Sequence, residues 1–484
     1  MPQKPYEDEA TIRLKKLENI KKAGVNPYPE KFDKKQSLAE AKAAKEGTGV
    51  KTAGRIMSIR LMGKIIFCHL EDFSGRLQIV VKADKVGEKQ FKFFTDSFDV
   101  GDFVGVEGEM FATQRGEISI AVKKYELLAK ALLPLPEKWH GLEDKEIRYR
   151  QRYLDLIANP EVKDVFIKRS LIIDSIRDYL KENDFMEVET PLLQILYGGA
   201  EAQPFITELN ALKLKLYLSI SPEIYLKKLL VGGIEKVFTI CKNFRNEGID
   251  KWHNPEFTML EAYASYWDYN DIKKLTENLL ELLAKKITGK TEINYQETKI
   301  NFKAPFKIIG VKKAIKEYAG VNPGKTEELK KEAKKLGFKG TNDEIIEKIF
   351  EEKVESKLIQ PTFVVDYPKS LCPLTKEHRE KPDEVERFEL FINGVEIANA
   401  YSELNDPLEQ EKRLKEQMEK RKKSKKFQPH LEANILDKDF ITALKHGMPP
   451  AGGIGIGIDR LVMLLTDQPS VRDVILFPFM RPEK

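Results

Sequence analysis

The stretch "GGIGIGIDRLVML", residues 452–464, decides what kind of protein this is. It looks like a dinucleotide fingerprint at a glance, yet GxGxxG fails because position 458 is Ile. Gly453, Gly455 and Gly457 alternate strictly with Ile454, Ile456 and Ile458. In a strand, that alternation gives one bare face and one isoleucine face turned to a core. A bare face lets a flat ring approach the backbone. Arg460 follows as the chain turns into a helix, placed to lie over such a ring or to reach a phosphate. The plainer alternative is a tightly packed central strand with a surface arginine. Three alternating glycines weaken a strand unless something needs the room, which favours a ligand.

Upstream, "NFRNEGIDKWHNPEF" (243–257) strings Arg245, Glu247, His253 and Phe257 together with no attacking atom beside its base. That set suits a grip on something anionic, flat and large. "RFELFINGVEIANAYSELND" (387–406) carries Glu389 and Glu396 seven residues apart. In an extended run, positions 397, 399, 401 and 403 share one face, which puts Asn399, Tyr401 and Glu403 together. A solvated sheet face explains the same pattern. Glu389 and Glu396 suit magnesium on a polyphosphate, an ion that takes few carboxylates and keeps room for phosphate oxygens. "MLEAYASY" sets Glu261 and Tyr263 on one strand face, and "SISPEIYLKKLL" puts Glu223 at a helix start behind Pro222. "AGVNPGKT" (319–326) mimics a phosphate-binding loop, but the charged, helix-like "KKAIKEY" before it supplies no strand. Thr326 reads instead as an N-cap.

At 484 residues the chain exceeds one compact core, and 41% apolar content is enough for several. A net charge of +5 permits a basic face for nucleic acid without demanding one. Cys68, Cys241 and Cys372 lie far apart with no CxxC spacing, against a zinc site or disulfide framework. The N-terminal residues have no signal-like apolar core, and no window suggests a membrane span; a cytoplasmic protein is expected.

Four regions are expected. Residues 1–49 form a helical arm, with Ile12, Leu14, Leu17 and Ile20 at helical spacing as a packing stripe or, alternatively, as part of a basic arm along nucleic acid. Residues 50–131 read as five short strands between glycine turns, the signature of a closed OB-fold barrel. Residues 132–160 form a linker whose Arg148, Arg150 and Arg152 make a basic hinge. Residues 161–484 mix strands and helices irregularly, as in an α+β domain, with charged helical insertions near 310–358 and 408–426.

Together these pieces resemble a class II aminoacyl-tRNA synthetase, most closely of the lysyl type. "FRNEGIDKWHNPEF…MLEAY" looks like the second signature motif of that class, "GIGIGIDRLVMLL" the third, and the helix ending at "VETP" the first. "GGAEAQPF", "NAYSELNDP" and "TALKHGMPP" extend the resemblance over nearly the whole chain. It implies an antiparallel catalytic sheet flanked by helices, and activation of L-lysine by ATP with two or three Mg2+. Transfer to tRNA(Lys) and a homodimer with the first motif at its interface are also implied.

The resemblance also implies roles. Arg245 and Arg460 are catalytic. Arg245, Glu247, His253, Asn254, Phe257, Asn399 and Arg460 hold ATP, with Glu389 and Glu396 as magnesium ligands. Gly199, Glu223, Arg245, Glu261, Tyr263, Asn399, Tyr401 and Glu403 hold lysine. Arg60, Phe67, Gln78 and Glu117 read the anticodon. Two carboxylates in a half-buried slot, Glu261 and Glu403, favour an ammonium on physical grounds alone; lysine rather than arginine comes from the family. Departures from the family pattern are "ELN" at 208–210, Lys213, Ser221 in "SPE", and "ASYWDY". Two rivals are a relative that lysylates a protein, which lacks the barrel, and an inactive RNA-binding relative, which loses the ATP arginines.

Overall fold

The computed structural model describes residues 4–136, 142–423 and 437–482, and divides the chain into two compact units between Glu143 and Asp144. The first unit runs α1 (Lys4–Lys22), α2 (Leu38–Ala43), β1 (Gly49–Met62), β2 (Ile65–Asp72), β3 (Gly75–Lys82), α3 (Ala83–Val86), α4 (Glu88–Ser97), β4 (Phe103–Ala112) and β5 (Ile118–Ala129). Its strands close into a barrel in the order β1-β2-β3-β5-β4. Period-two alternation places Ile66, Cys68 and Leu70 inside and leaves Phe67 and His69 on the outer face.

The first 49 residues do not stand apart as an arm. Ile20, Leu38 and Ala41 are buried in the same apolar cluster as the barrel interior. The packing stripe of α1 is Arg13, Leu17 and Ile20, while Ile12 and Leu14 face outward. Arg13 is tolerated inside because its guanidinium meets the carbonyls of Val100, Ala131 and Leu133 at 3.1, 3.2 and 3.3 Å, and Glu9 at 2.8 Å.

The second unit opens with α5 (Lys145–Arg150), α6 (Arg152–Ala158), α7 (Pro160–Glu182), β6 (Met186–Glu187), β7 (Leu193–Gln194), β8 (Ile206–Leu209), β9 (Leu214–Leu218) and α8 (Glu223–Val231). It continues with β10 (Lys236–Phe244), β11 (Glu256–Ser265), α9 (Tyr269–Thr288), β12 (Glu292–Tyr295), β13 (Thr298–Asn301), β14 (Lys307–Gly310), α10 (Val311–Ala314), α11 (Thr326–Lys335) and α12 (Asn342–Lys353). Then come β15 (Thr362–Pro368), β16 (Glu384–Ile392), β17 (Val395–Ser402), α13 (Pro407–Lys423), α14 (Lys438–Lys445), β18 (Ala451–Gly457), α15 (Ile458–Leu465) and α16 (Val471–Val474). The main sheet has the order β14-β15-β16-β17-β18-β11-β10-β6. It is antiparallel from β15 to β10, as expected, but β14 and β6 join its edges in parallel, so the sheet is mixed. Helix α9 shows why the flanking layer forms. Asp268 and Asp271 make a capping box, Ile272, Leu275, Leu279 and Leu283 bury one face, and Gly289 at φ 79° ends it.

Residues 145–158 are not a hinge. They are helical and belong to the second unit, whereas residues 137–141 lie outside the described residues. Arg152 is buried, paired with Asp155 at 2.7 Å, and donates to the carbonyls of Leu476, Arg472 and Ile475. Four bonds from its rigid fork to fixed acceptors explain why it is inside. Arg152→Ala leaves those acceptors without it. It should destabilise the unit by about 3 kcal/mol, read as a lower urea midpoint.

The helical stretch after β14 has its own core, in which Val311, Ile345, Ile349 and Phe350 pack with Val364 and Phe391 of β15 and β16. Thr326 is the first residue of α11 rather than its cap; Lys325 holds the cap position without a side-chain bond. The residues before "AGVNPGKT" are helical, so no strand delivers its amides to a phosphate. Helix α13 covers the second charged stretch to Lys423; residues 424–426 lie outside the described residues.

Candidate active site

A cavity of about 430 Å3 opens on one face of the sheet over β11, β16, β17 and β18. That volume suits a small-molecule ligand. Gly453, Gly455 and Gly457 line it, while Ile454, Ile456 and Ile458 lie in the core. The glycine face has a use other than the expected ring contact along its whole length. A Cβ on Gly453 would stand 2.1 Å from Glu403 Oε1 and 2.4 Å from the Tyr263 ring; one on Gly455 would stand 2.9 Å from the Met259 methyl. The room at those two positions belongs to the protein's own side chains. At Gly457 the nearest atom is Arg460 Cδ at 3.7 Å, an ordinary contact.

One end of the cavity holds the arginines. Arg245 follows β10, and its guanidinium lies 5.1 Å from the Phe257 ring centroid, a cation–π contact. Its Nε is buried without a hydrogen-bond partner among the described residues, and burial pulls its pKa below the ordinary value. Arg460, in the first turn of α15, donates to the Glu396 carbonyl at 2.7 Å and sits 3.0 Å from His253 Nε2. An arginine only donates, so Nε2 accepts and His253 Nδ1 donates to Asp250, 2.8 Å away. Glu247 accepts from the Gln203 amide at 3.3 Å. Asn254 lines the cavity, but its side chain donates to the Glu256 carbonyl and accepts from the Phe479 amide, so it also braces the wall. Asp459, unnoticed in the sequence, takes the Thr258 amide at 2.8 Å and Arg169 at 2.7 Å, and so locks the turn that carries Arg460.

The β16–β17 hairpin contributes the acid pair. Its turn, Asn393–Gly394, has both φ positive (52° and 73°), and a bulge falls between the pairs Leu390↔Ala398 and Phe391↔Glu396. The extra residue, Ile397, is buried in the core, and Glu396 joins Glu389, Asn399 and Tyr401 along the cavity. Tyr367 donates to Glu389 at 2.7 Å, and Arg387 holds both Glu389 and Asn399, the latter at 3.1 Å. Arg387 had no assigned role in the sequence, although it stands two residues from Glu389. Burial pushes the Glu389 pKa up despite Arg387, with Glu396 adding to the rise. Among the described residues no group of three or more His, Cys, Asp or Glu could cage an ion. Two crowded carboxylates on one wall suit a hard cation that completes its shell with phosphate and water.

The other end is a buried acid cluster. Ser221 donates to Glu261 Oε1 at 2.7 Å and Tyr263 to Glu261 Oε2 at 3.0 Å. Tyr401 donates to Glu223 at 2.8 Å. Gly199 has φ 83°, and a Cβ there would meet Ser221 and Glu223 below 3 Å, so only glycine fits. Burial pushes Glu261 up to about 8, with Glu223 adding to the rise. Glu403 is likewise pushed up by burial, which outweighs Lys227. The slot expected to be half-buried is fully buried at Glu261 and Glu403, and it already holds a cation. Lys227, wholly buried, bridges Glu223 and Glu403. Burial alone would discharge it; the two carboxylates outweigh that and raise its pKa. Its signal was present as Glu223 and Lys227 four apart on one helix, beside the buried Leu226 and Leu230.

On the barrel, Arg60 pairs across strands with Phe67, and His69 with Gln78. Gln78 is buried, donating to Glu117 at 2.8 Å and accepting from Ser119 at 2.9 Å. His69, missed in the sequence, links Glu117 at 3.0 Å to Ser58 at 2.9 Å. Arg60 and Glu117 are exposed, and Phe67 is half-buried across the strand pair from Arg60.

Residues 144–481 match the family of tRNA synthetases class II (D, K and N), and residues 50–128 match the OB-fold nucleic acid binding domain. The chain is 52% identical over 482 residues to a lysine–tRNA ligase of Carboxydothermus hydrogenoformans, covering 97% of each chain. It is 50% identical to lysine–tRNA ligase 2 of Methanosarcina mazei, over 97% of this chain and 94% of that one. A lysine–tRNA ligase of Aquifex aeolicus is 51% identical over 90% of this chain and 73% of its own.

Proposed function

The chain belongs to the class II tRNA synthetases, in their lysine–tRNA ligase branch, and from that premise we propose how its residues activate lysine with ATP and charge tRNA(Lys). The observation that carries the reading is one cavity lined by Arg245 and Arg460 at one end and by Glu223 and Glu261 at the other, with Glu403 buried against Gly453 and tied to Glu223 through Lys227. A triphosphate and an amino acid with two ammonium groups demand that polarity.

In the first step the lysine carboxylate attacks the α-phosphorus of ATP and pyrophosphate leaves. Arg245 holds that carboxylate and the α-phosphate together and stabilises the charge that builds between them; Arg460 holds the γ-phosphate. Phe257 supports the adenine ring, with Glu247, His253 and Asn254 around the nucleotide. Asn399, fixed by Arg387, lies where both substrates meet. Glu223 and Gly199 take the α-ammonium, Tyr401 flanks the aliphatic stem, and Glu261, Tyr263 and Glu403 take the ε-ammonium. Glu389 and Glu396 would hold Mg2+, which neutralises charge on the phosphates when bound. In the second step a ribose hydroxyl at the tRNA 3′ end attacks the adenylate carbonyl and AMP leaves. No protein nucleophile takes part, which explains an arginine-rich site without a reactive Ser or Cys.

On the barrel, Phe67 stacks an anticodon base while Arg60 and Glu117 read its edges, with Gln78 and His69 holding Glu117 in place. Phe67→Ala should raise the KM for tRNA.

Exposed Ile167, Leu171, Met186, Leu192, Leu193 and Ile195 support a second copy covering this part of the catalytic unit. Sedimentation equilibrium should return twice the chain mass. No helix among the described residues is long and apolar enough to cross a membrane, and we infer a cytoplasmic enzyme. ATP–pyrophosphate exchange run with each of the twenty amino acids tests the whole reading. Lysine alone should support rapid exchange, and no exchange with lysine would overturn it.

A further inference from the structure

Lys227 lies on the second turn of α8 with its Nζ between Glu223 Oε1 and Glu403 Oε2, and 5.4 Å from the Tyr401 ring centroid. An ammonium buried this deeply is costly to keep, and apolar side chains usually serve stability as well or better. Its presence therefore needs a reason other than cohesion.

Each bridged carboxylate is left with one oxygen for something else. Among the described residues Glu223 Oε2 accepts from the Tyr401 hydroxyl alone, and Glu403 Oε1 has no hydrogen-bond partner. Glu403 Oε1 stands against the bare Gly453, where a Cβ would lie 2.1 Å away. The third carboxylate, Glu261, is held by Ser221 and Tyr263. Once substrate ammonium groups displace the protons that burial favours, three ionised carboxylates and one ammonium leave two negative charges. Free lysine, with its carboxylate on Arg245, carries two ammonium groups. The filled cluster is neutral.

We propose that Lys227 is a positioning residue that ties the carboxylate receiving the α-ammonium to the one receiving the ε-ammonium, and so sets the side-chain length the cavity accepts. The proposal rests on the lysine reading above. Glu223 and Glu403 come from separate elements, the start of α8 and the end of β17. Without the bridge they settle independently, and a diamino acid one methylene shorter is accommodated more nearly as well. Discrimination of a single methylene is otherwise weak, on the order of 10–200-fold from packing alone.

The test is Lys227→Met, which keeps length and removes the charge. Lysine kcat/KM in the exchange reaction should fall about 30-fold, mostly through KM, with the KM for ATP within about twofold. The preference for lysine over ornithine should narrow about tenfold. A role confined to stability would lower kcat for both amino acids together and leave their ratio alone, and that result would overturn the proposal. A crystal of the unsubstituted enzyme with lysine gives a second readout that does not depend on a variant folding. Lys227 Nζ should stay between Glu223 and Glu403, with the substrate ammonium groups on the remaining carboxylate oxygens. Displacement of Nζ by a substrate ammonium would refute the bridge. Unsubstituted enzyme without lysine-dependent exchange sinks the functional reading itself, whereas normal exchange with an unchanged lysine-to-ornithine ratio in K227M sinks only the role of Lys227.

Discussion

Arg245→Met should lower lysine-dependent ATP–pyrophosphate exchange about a thousandfold, equivalent to roughly 4 kcal/mol of transition-state stabilisation. The methionine keeps apolar cover over Phe257, where the guanidinium now lies at 5.1 Å, but loses the fork that holds a carboxylate and a phosphate at once. The Arg245 Nε is already without a hydrogen-bond partner, so the fold loses little at that atom. The deficit should fall chiefly on kcat, because in the proposed mechanism both groups gripped by Arg245 change charge as the bond forms. A loss smaller than about tenfold would mean that another group carries the α-phosphate.

The second large effect is expected for Glu261→Gln combined with Glu403→Gln. Both replacements keep shape and remove the charges that meet an ammonium. The kcat/KM for lysine should fall by about three orders of magnitude while the KM for ATP changes less than about threefold, since the nucleotide end is untouched. The parent enzyme should show the same dependence through pH. Glu261 is pushed up to about 8 by burial, so below that value it holds a proton that a substrate ammonium must displace. The kcat/KM for lysine should therefore climb as pH rises toward about 8 and flatten beyond it. Unchanged exchange in the double variant would remove the acid cluster from substrate recognition.

Much of this architecture was legible because its signals are local. Five β-rich runs between glycine turns specify a barrel by strand count and spacing, and the barrel is closed. The alternation at 453–458 was readable as a strand with one bare face, though not that Glu403 and Tyr263 fill the room at Gly453. What escaped is long-range. Arg152 looks like a basic hinge until its acceptors at residues 472, 475 and 476 are seen more than 300 positions away. Lys227 reads as an ordinary helix lysine, because its second partner, Glu403, arrives from the far end of another strand. Arg387 was hidden for a different reason. A strand arginine beside a glutamate usually means a surface pair, and only burial turns it into the clamp on Glu389 and Asn399. Ile397 shows the limit of periodicity itself, since the alternation rule holds only while both strands advance at the same pace.

That one surplus residue acts as a phase shifter. In an evenly pleated β17, Glu396 would share the side of Ala398 and Ala400, which are 2% and 0% exposed, and its charge would be entombed. The kink turns an odd interval of seven into a matched couple. Losing or gaining a single residue in this hairpin would therefore turn the two carboxylates proposed to meet Mg2+ to opposite sides of the sheet without altering either side chain.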